Sequence, residues 1–172
     1  MNRKICFDAS QDVATYEADT KHRTELMTEF GMKADSKGVA TPLVKVVPTP
    51  QHEVELDDVA ASSYRSSCMR MAYLALDRPE LQYASKECAR GMKTPTVRHA
   101  EMLKRAVRFL AGQPRCVWNF KRQRWPKRLF ARSDTDWAGC PVSRKSTNGT
   151  AITCGLHTWF TQSSTQVPIS SS

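Results

Sequence analysis

The sequence contains no long apolar run. No stretch of about 18 apolar residues occurs, and the opening MNRKICFDAS has no apolar segment of the kind that secretory signals contain. The sequence therefore predicts neither a membrane span nor a secretory signal. We expect an intracellular protein, in the cytoplasm or the nucleus, that has no membrane partner.

Cysteine is present, but not in a pattern typical of a metal or disulfide framework. The six cysteines are irregularly spaced and include no C-x-x-C pair, which argues against a zinc ribbon or a disulfide-rich scaffold. Cys154 and His157 have the spacing of half a zinc site, but no second half of comparable spacing occurs. The alternative is that these are ordinary thiols in a reducing compartment.

Signatures of common catalytic sites are also missing. The sequence has no G-x-S-x-G elbow, no P-loop and no glycine-rich dinucleotide motif, so we expect no small-molecule substrate. Acidic side chains are scarce near the end, since no Asp or Glu follows Asp136. This scarcity limits the carboxylate chemistry that the last part of the chain could perform.

The charge that is present is concentrated in one stretch. The 172 residues carry a net charge of +9, yet residues 1–60 hold 7 basic and 11 acidic side chains. Residues 98–132 hold 11 basic side chains against Glu101 alone, and aromatic residues lie among them. Such a cluster is typical of a surface that binds phosphates, and a solvated basic face is the alternative. The predicted nucleic-acid-binding residues are Arg98, Lys104, Arg105, Arg108, Arg115, Lys121, Arg122, Arg124, Lys127, Arg128 and Arg132. The interleaved aromatic residues are Trp118, Phe120 and Trp125.

Hydrophobic periodicity predicts one helix and then a linker in the first third of the chain. Residues 14–30 have apolar residues at helical spacing and end at Gly31, which is typical of a short amphipathic helix with its cap. Residues 33–62 contain three prolines and the acidic EVELDD. They predict an extended, mobile linker, with Leu43–Val47 as the only candidate strand.

Three helices are predicted next, separated by Pro and Gly. The first runs from Ser62 to Arg78, the second covers 79–91, and the third runs from Thr94 to Gly112. The residues expected to face inward are Met69, Ala72, Tyr73 and Leu76 in the first, Leu81, Ala84 and Cys88 in the second, and Ala100, Leu103, Val107 and Leu110 in the third. The third helix should present Arg98, Arg105 and Arg108 outward.

The period then changes to that of strands. Alternation predicts strands at 116–120, 129–134, 150–154 and 156–160, with turns at Asn148-Gly149 and at Gly155. The predicted fold class is therefore α+β, a small helical bundle followed by an antiparallel sheet. Because three short strands need a partner for their apolar face, we expect this sheet to be incomplete.

Asp134 and Asp136 form the one candidate chemical group. Side chains at i and i+2 of a strand share a face, so the two carboxylates could bind a divalent metal. A site for two metal ions normally draws three or four acidic ligands from separate elements. A turn-capping role for the pair is the alternative.

Three ordered motifs resemble a known family. YRSSCMRMAYLALDRPELQYASKECARGMKTPTVRH is similar to the segment that follows the reverse-transcriptase palm in copia-type long-terminal-repeat retrotransposon Pol polyproteins. SDTDWAGCPVSRKSTNG resembles the start of the RNase H domain in that family, and YEADTKH fits its upstream stretch. The resemblance covers roughly Tyr16 to Ser172. Ser67 and Cys68 stand where the family has apolar core residues.

The resemblance implies a thumb- or connection-like bundle followed by an RNase H-like sheet. It implies that Asp134 is the first catalytic carboxylate and metal ligand of RNase H, where two Mg²⁺ ions support cleavage of the RNA strand of an RNA–DNA hybrid. The next Glu of that site would follow Ile169–Ser172, and the polymerase Asp-Asp motif would precede Met1. We therefore expect an incomplete site that binds no Mg²⁺ tightly.

The predicted segments are residues 1–61, a short helix and acidic linker; 62–113, the three helices; 114–132, a basic connector; and 133–172, a truncated RNase H-like domain. The predicted function is that of a Pol fragment that binds an RNA–DNA hybrid or duplex without cleaving it, with the rest of the polyprotein as a further partner. The alternatives are an active RNase H or polymerase, a co-opted basic binding or scaffolding module, and a remnant without function.

Overall fold

The computed structural model describes residues 3–45, 49–140 and 143–167. The described elements, in chain order, are strands β1 (Lys4–Asp8) and β2 (Val13–Glu17), helices α1 (Thr20–Glu29), α2 (Asp58–Ala75), α3 (Gln82–Ala89) and α4 (Val97–Gly112), and strands β3 (Val117–Lys121), β4 (Leu129–Asp136), β5 (Thr147–Cys154) and β6 (His157–Thr165). Short 3₁₀ turns at Pro50–Glu53 and Pro79–Leu81 precede α2 and α3. These elements are those of an α+β protein.

The chain divides into two compact units. The helical unit comprises the described residues of 1–4 and 17–116, and the sheet unit comprises those of 5–16 and 117–172. The boundaries of these two units differ from those of the four segments expected from the sequence. The division into four segments stays a prediction.

The helical unit has a core in which the predicted faces of α3 and α4 are buried. Leu81, Ala84 and Cys88 are fully buried, and so are Leu103, Val107 and Leu110 of α4. Ala100, in the first turn of α4, is half-buried. Repeats of three and four residues place such side chains along one stripe of a helix, and here that stripe faces the core. The predicted inward faces are therefore confirmed except at Ala100, although both helices are shorter than predicted.

The predicted inward face of α2 is wrong. Met69, Tyr73 and Leu76 are 46%, 48% and 61% exposed, and Ala72 is half-buried. The buried face lies on the other side of the helix and comprises Ala61, Tyr64, Ser67, Cys68, Met71, Leu74 and Ala75. This stripe also repeats every three or four residues, but Ser67 and Cys68 weaken its apolar signal.

The predicted helix over 14–30 is correct only in its second half. Val13–Glu17 form strand β2, and α1 begins at Thr20 after Asp19, whose carboxylate accepts a hydrogen bond from the Lys21 amide at 2.9 Å. An aspartate at this position satisfies an amide that the first turn leaves without a partner. Leu26 and Met27 are buried, and Gly31, with φ of +62°, follows the helix.

The segment predicted to be a mobile linker makes contacts with the helical core. Val39, Leu43 and Leu56 are partly buried against it, and Leu56 donates a backbone hydrogen bond to Pro95. Helix α2 begins at Asp58, four residues before the predicted start. The described part of the candidate strand, Leu43–Lys45, is irregular, and Val46 and Val47 lie outside the described residues.

The sheet unit contains two three-stranded sheets. One has the order β1-β2-β3, and the other has the order β4-β5-β6 with antiparallel pairing throughout. The predicted turn at Asn148-Gly149 is wrong, because both residues lie within β5 opposite Thr135 and Asp134 of β4. The predicted turn at Gly155 is confirmed. This residue, which has a φ of +61°, lies in the turn that joins β5 to β6. A glycine adopts this backbone conformation without the steric penalty that a side chain incurs.

Candidate functional site

The first two residues of the YRSSC motif, in the middle of α2, stabilise the helical unit. The Tyr64 hydroxyl donates a hydrogen bond to the Cys88 carbonyl of α3 at 2.5 Å, and burial raises the pKa of Tyr64. The Arg65 guanidinium donates to the Met92 carbonyl at 2.8 Å. Both side chains therefore connect α2 to the end of α3 and the segment after it.

The RPE motif has a similar structural role. Arg78 is 2% exposed and pairs with the Glu80 carboxylate at 2.8 Å. Its guanidinium also donates to the Gln113 carbonyl at the end of α4, at 2.8 Å. A helix leaves its last carbonyls without intrahelical partners, and Arg78 supplies a donor there.

The PTVRH motif forms the start of α4. His99 Nδ1 lies 3.2 Å from the Thr96 amide and 2.9 Å from the Thr96 hydroxyl, in the reciprocal arrangement of a capping box. Burial, with a smaller contribution from Arg98, lowers the pKa of His99 and favours the neutral ring that this hydrogen bond requires. The His99 ring lies against Gly91, where any Cβ would collide with it. These motif residues are accounted for by the fold.

The predicted basic face of α4 is only partly exposed. Lys104 is exposed, whereas Arg98, Arg105 and Arg108 are half-buried. The Arg105 guanidinium donates to the Thr41 hydroxyl at 3.1 Å, so part of the segment between α1 and α2 lies against this helix. All three arginines that were expected to point outward are therefore half-buried, and the exposed Lys104 was not among them.

Arg115 forms an ion pair within the helical unit. Its Nε and Nη2 atoms donate to the two Glu17 carboxylate oxygens, each at 2.7 Å. This hydrogen bonding lowers the pKa of Glu17 and raises that of Arg115. Arg115 therefore uses for Glu17 the two N–H donors that could otherwise bind a phosphate.

The segment Lys121–Arg128 of the sheet unit, here called the basic loop, carries most of the exposed cations of the predicted set. All five of its basic side chains are exposed, namely Lys121, Arg122, Arg124, Lys127 and Arg128. Arg122 lies 3.5 Å from the Asp12 carboxylate, in a pair that is open to solvent. Arg132 is exposed on the neighbouring strand β4. The structure thus brings six of the eleven predicted residues into one unit.

An open aromatic cleft of about 480 Å³ lies beside the basic loop in the sheet unit. The rings of Trp125 and Trp159 are 6.4 Å apart at an angle of 57°, and those of Phe120 and His157 meet edge to face at 5.2 Å. The two indoles are 82% and 53% exposed. The full lining is Phe7, Asp12, Ala14, Phe120, Lys121, Arg122, Gln123, Trp125, Pro126, Cys154, His157 and Trp159.

Gln123 attaches the basic loop to the β5–β6 turn. Its amide nitrogen donates to the Cys154 carbonyl at 2.9 Å, and its oxygen accepts from the Leu156 amide at 2.9 Å. His157 completes this attachment, since Nε2 lies 2.8 Å from the Lys121 carbonyl and Nδ1 lies 3.0 Å from the Gln123 amide nitrogen. Both ring nitrogens are therefore used in hydrogen bonds, which leaves the suggested Cys154–His157 zinc half-site without a free imidazole ligand.

Asp134 and Asp136 share a face of β4, as predicted. Asp134 is exposed, and its carboxylate accepts from the Thr135 amide at 2.9 Å. The Asp136 carboxylate accepts from the amide of Thr147, its partner on β5. The positions that pair across the sheet from Asp134 are Gly149 and then Ser163, neither of them acidic.

The described residues do not fit a complete two-metal site. Over residues 3–45, 49–140 and 143–167, no group of three or more His, Cys, Asp or Glu side chains is placed to hold a metal ion. Ile169–Ser172, used in the comparison with the RNase H motif, lie outside the described residues. No step that requires Mg²⁺ can be derived from the carboxylates at hand.

Sequence reasoning missed part of the cleft. It noted Phe120 and Trp125 as aromatic residues among cations, but it assigned no role to Trp159 or Phe7. The available signal was the alternation in 156–160, which indicates one face of a strand but not how close that face lies to the loop at 121–128.

In the part of the chain that the structure describes, no helix has the length and apolarity needed to cross a membrane.

Comparison with known proteins finds two Pol polyproteins and one uncharacterized protein. The chain is 35% and 34% identical to the retrovirus-related Pol polyproteins from transposons RE2 and RE1 of Arabidopsis thaliana, over 83% of this chain and 9% of each polyprotein. It is 30% identical to an uncharacterized mitochondrial protein of the same plant, over 83% of this chain and 58% of that protein. The chain thus spans less than two thirds of each relative. No family model and no solved structure matches it.

Proposed function

Because this chain is a homologue of a segment of retrovirus-related Pol polyproteins, we propose that it is a copia-type Pol piece that binds an RNA–DNA hybrid or duplex. The observation that carries the proposal is the basic loop, where five exposed cations occur within eight residues beside an aromatic cleft. Arg132 extends this positive surface on β4. Binding without cleavage is part of the proposal, since the described residues supply two neighbouring carboxylates and no third ligand.

The basic loop suits phosphate binding better than the helical cations do. Arg115 is paired with Glu17, and Arg78 is buried with Glu80, so both are committed to the fold. The loop cations are solvent-exposed, and the pairing of Arg122 with Asp12 is long and solvated. Exposed Lys and Arg side chains bind nucleic acid by displacing counterions from phosphates, which makes affinity depend on salt.

The test is fluorescence anisotropy of a labelled hybrid and a labelled duplex with the full chain at several salt concentrations. With roughly six to ten bound phosphates, we expect affinity to fall by roughly 10³ to 10⁵ between about 50 and 200 mM salt. A triple variant, R124Q/K127Q/R128Q, should bind more weakly. Its salt slope should be smaller by about 0.9 for each phosphate that is no longer bound.

The matched control neutralises three exposed lysines of the helical unit, in K33Q/K37Q/K93Q. It removes the same charge, so a general effect of net charge would weaken both triple variants equally and would contradict the proposal. A salt response that stays flat for the unmodified chain would also contradict it. In both cases the thermal melt of each variant shows whether the fold is intact.

The non-catalytic part of the proposal has its own test. Incubating the purified chain with Mg²⁺ and an RNA–DNA hybrid should leave the RNA strand intact. Cleavage that requires Mg²⁺ and is lost in Asp134→Asn would instead establish an active RNase H and overturn this part. The co-opted binding module remains the alternative, and selective binding to one partner regardless of hybrid form would favour it.

A further inference from the structure

We infer that the aromatic cleft of the sheet unit binds an unpaired base of a single-stranded nucleic acid, stacked against Trp125 and Trp159. This inference rests on the proposed nucleic-acid binding and adds the form of strand that the cleft accepts. The Trp125 side chain is 82% exposed and that of Trp159 is 53% exposed, and their ring centroids are 6.4 Å apart. Exposed large apolar patches of this kind mark interaction sites on folded proteins.

The shape of the cleft fits a flat ring. Its volume of about 480 Å³ lies within the usual range for a small-ligand pocket, and its lining includes four aromatic side chains besides His157. Phe120 and His157 meet edge to face at 5.2 Å, which leaves this pair packed together next to the two more exposed indoles. A base offers two π-faces, and stacking on aromatic side chains adds to the attraction that a basic groove exerts on a single strand.

The charges around the cleft fit the strand to which the base belongs. Lys121 and Arg122 line it, and Arg124, Lys127 and Arg128 are exposed on the same loop. One carboxylate, Asp12, also lines the cleft, and it lies 3.5 Å from Arg122. The balance is positive, so the backbone on either side of a stacked base would be attracted to the basic loop.

A base in the interior of a duplex cannot occupy this cleft. Inside a duplex both faces of each base are covered by neighbouring bases, and a base must leave the stack before a side chain can contact its face. The cleft therefore distinguishes single strands from duplexes, while the basic loop attracts both. The two surfaces make separable contributions, which the experiment can measure.

The cleft should show little base preference. Both hydrogens of the Gln123 amide nitrogen are directed to the Cys154 carbonyl and to His157 Nδ1, and His157 Nε2 is directed to the Lys121 carbonyl. These donors fix the shape of the cleft and are not available for reading base edges. Stacking without edge recognition tolerates every base.

The experiment compares a labelled oligo(dT) with a blunt duplex of equal length, by anisotropy with the full chain. We expect Trp125→Ala and Trp159→Ala each to weaken binding of the single strand by about 5- to 150-fold, the range for loss of one stacked base, with little change for the duplex. The salt slope should stay the same, because stacking on an indole displaces no counterions. The variant Trp159→Tyr keeps an aromatic ring at this position and should retain most of the affinity of the unmodified chain.

The matched control is Trp137→Ala, which removes an indole that is 68% exposed in the same unit but absent from the cleft lining. If single-strand affinity is unchanged in both cleft variants, or drops equally in the control, the inference is wrong while the proposed function stands. If the unmodified chain binds neither single strands nor duplexes, the proposed function fails first. Self-association that Trp159→Ala abolishes, with strand affinity unchanged, would assign the cleft to a second copy and overturn the inference.

Discussion

The Glu17–Arg115 pair is the residue-scale feature that most clearly couples stability to pH. Glu17 is buried and accepts two hydrogen bonds from Arg115, and this bonding lowers its pKa. A carboxyl group with a lowered pKa in the folded state contributes stability above its unfolded pKa, near 4.3, and loses that contribution as the pH falls through the folded value. The pair should therefore stabilise the helical unit at neutral pH and not in strong acid.

We expect Arg115→Gln to melt at a lower temperature than the unmodified chain at pH 7, with a difference that shrinks as the pH falls below 4. Removing the arginine leaves a buried carboxylate without its partner, which is unfavourable only while it is ionised. Thermal melts followed by circular dichroism between pH 7 and pH 3 measure this difference. Arg124→Gln, on the exposed loop, is the control of equal charge. A difference that does not vary with pH would contradict the prediction.

At the scale of elements, the β5–β6 turn fixes the geometry of the aromatic cleft. Gly155 has φ of +61°, and a Cβ there would collide with the Gln123 side-chain oxygen. That oxygen accepts from the Leu156 amide at 2.9 Å, so the turn and the basic loop are held by the same side chain. A substitution that distorts the turn should therefore displace the Gln123 side chain and change the shape of the cleft.

Gly155→Ala should destabilise the sheet unit by about 2 to 4 kcal/mol, from left-handed strain of about 1 to 2 kcal/mol and the loss of one or two hydrogen bonds of about 1 kcal/mol each. Single-strand affinity should fall with it. Urea unfolding gives the stability change. The control is Gly149→Ala in β5, where an added Cβ would meet only the Asp134 carbonyl, at 3.9 Å. Equal effects of the two substitutions would refute the structural explanation.

Elements are predictable from the sequence where one signal dominates. Helix α4 has a single apolar stripe and clear end signals, and its buried face matches the prediction. Helix α2 has two stripes on opposite sides, and the more apolar one, containing Met69 and Leu76, is exposed. Periodicity reports only the apolar character of each stripe. Which stripe is buried depends on what packs against the helix, here α1 and α3.

The candidate site is predictable only in its local part. The basic loop is visible as a run of cations, but the cleft depends on Trp159 and Cys154, which approach the loop through the hairpin turn and Gln123. The Asn148-Gly149 pair shows the same limit, because a dipeptide typical of turns lies within β5 once Thr135 and Asp134 pair with it. Pairing across a sheet overrides local turn propensity.

At the scale of the whole molecule, the two units differ greatly in how much they bury. Sixteen buried residues of the helical unit form one core cluster, whereas the described buried residues of the sheet unit are Val13, Ser146 and Cys154. Stability scales with apolar burial, and sheets without a packed apolar face are marginal. The sheet unit should therefore unfold at a lower denaturant concentration than the helical unit.

The cysteines report on each unit separately. Cys68 and Cys88 are fully buried in the helical unit, where burial raises the pKa of both thiols, and Cys154 is buried in the sheet unit. Pulsed alkylation in urea, read by mass spectrometry, should label Cys154 at a lower midpoint than Cys68 and Cys88, while the exposed Cys6 is labelled without denaturant. A single midpoint for all three buried thiols would mean that the chain unfolds as one cooperative unit, and the small core of the sheet unit would then not determine its stability.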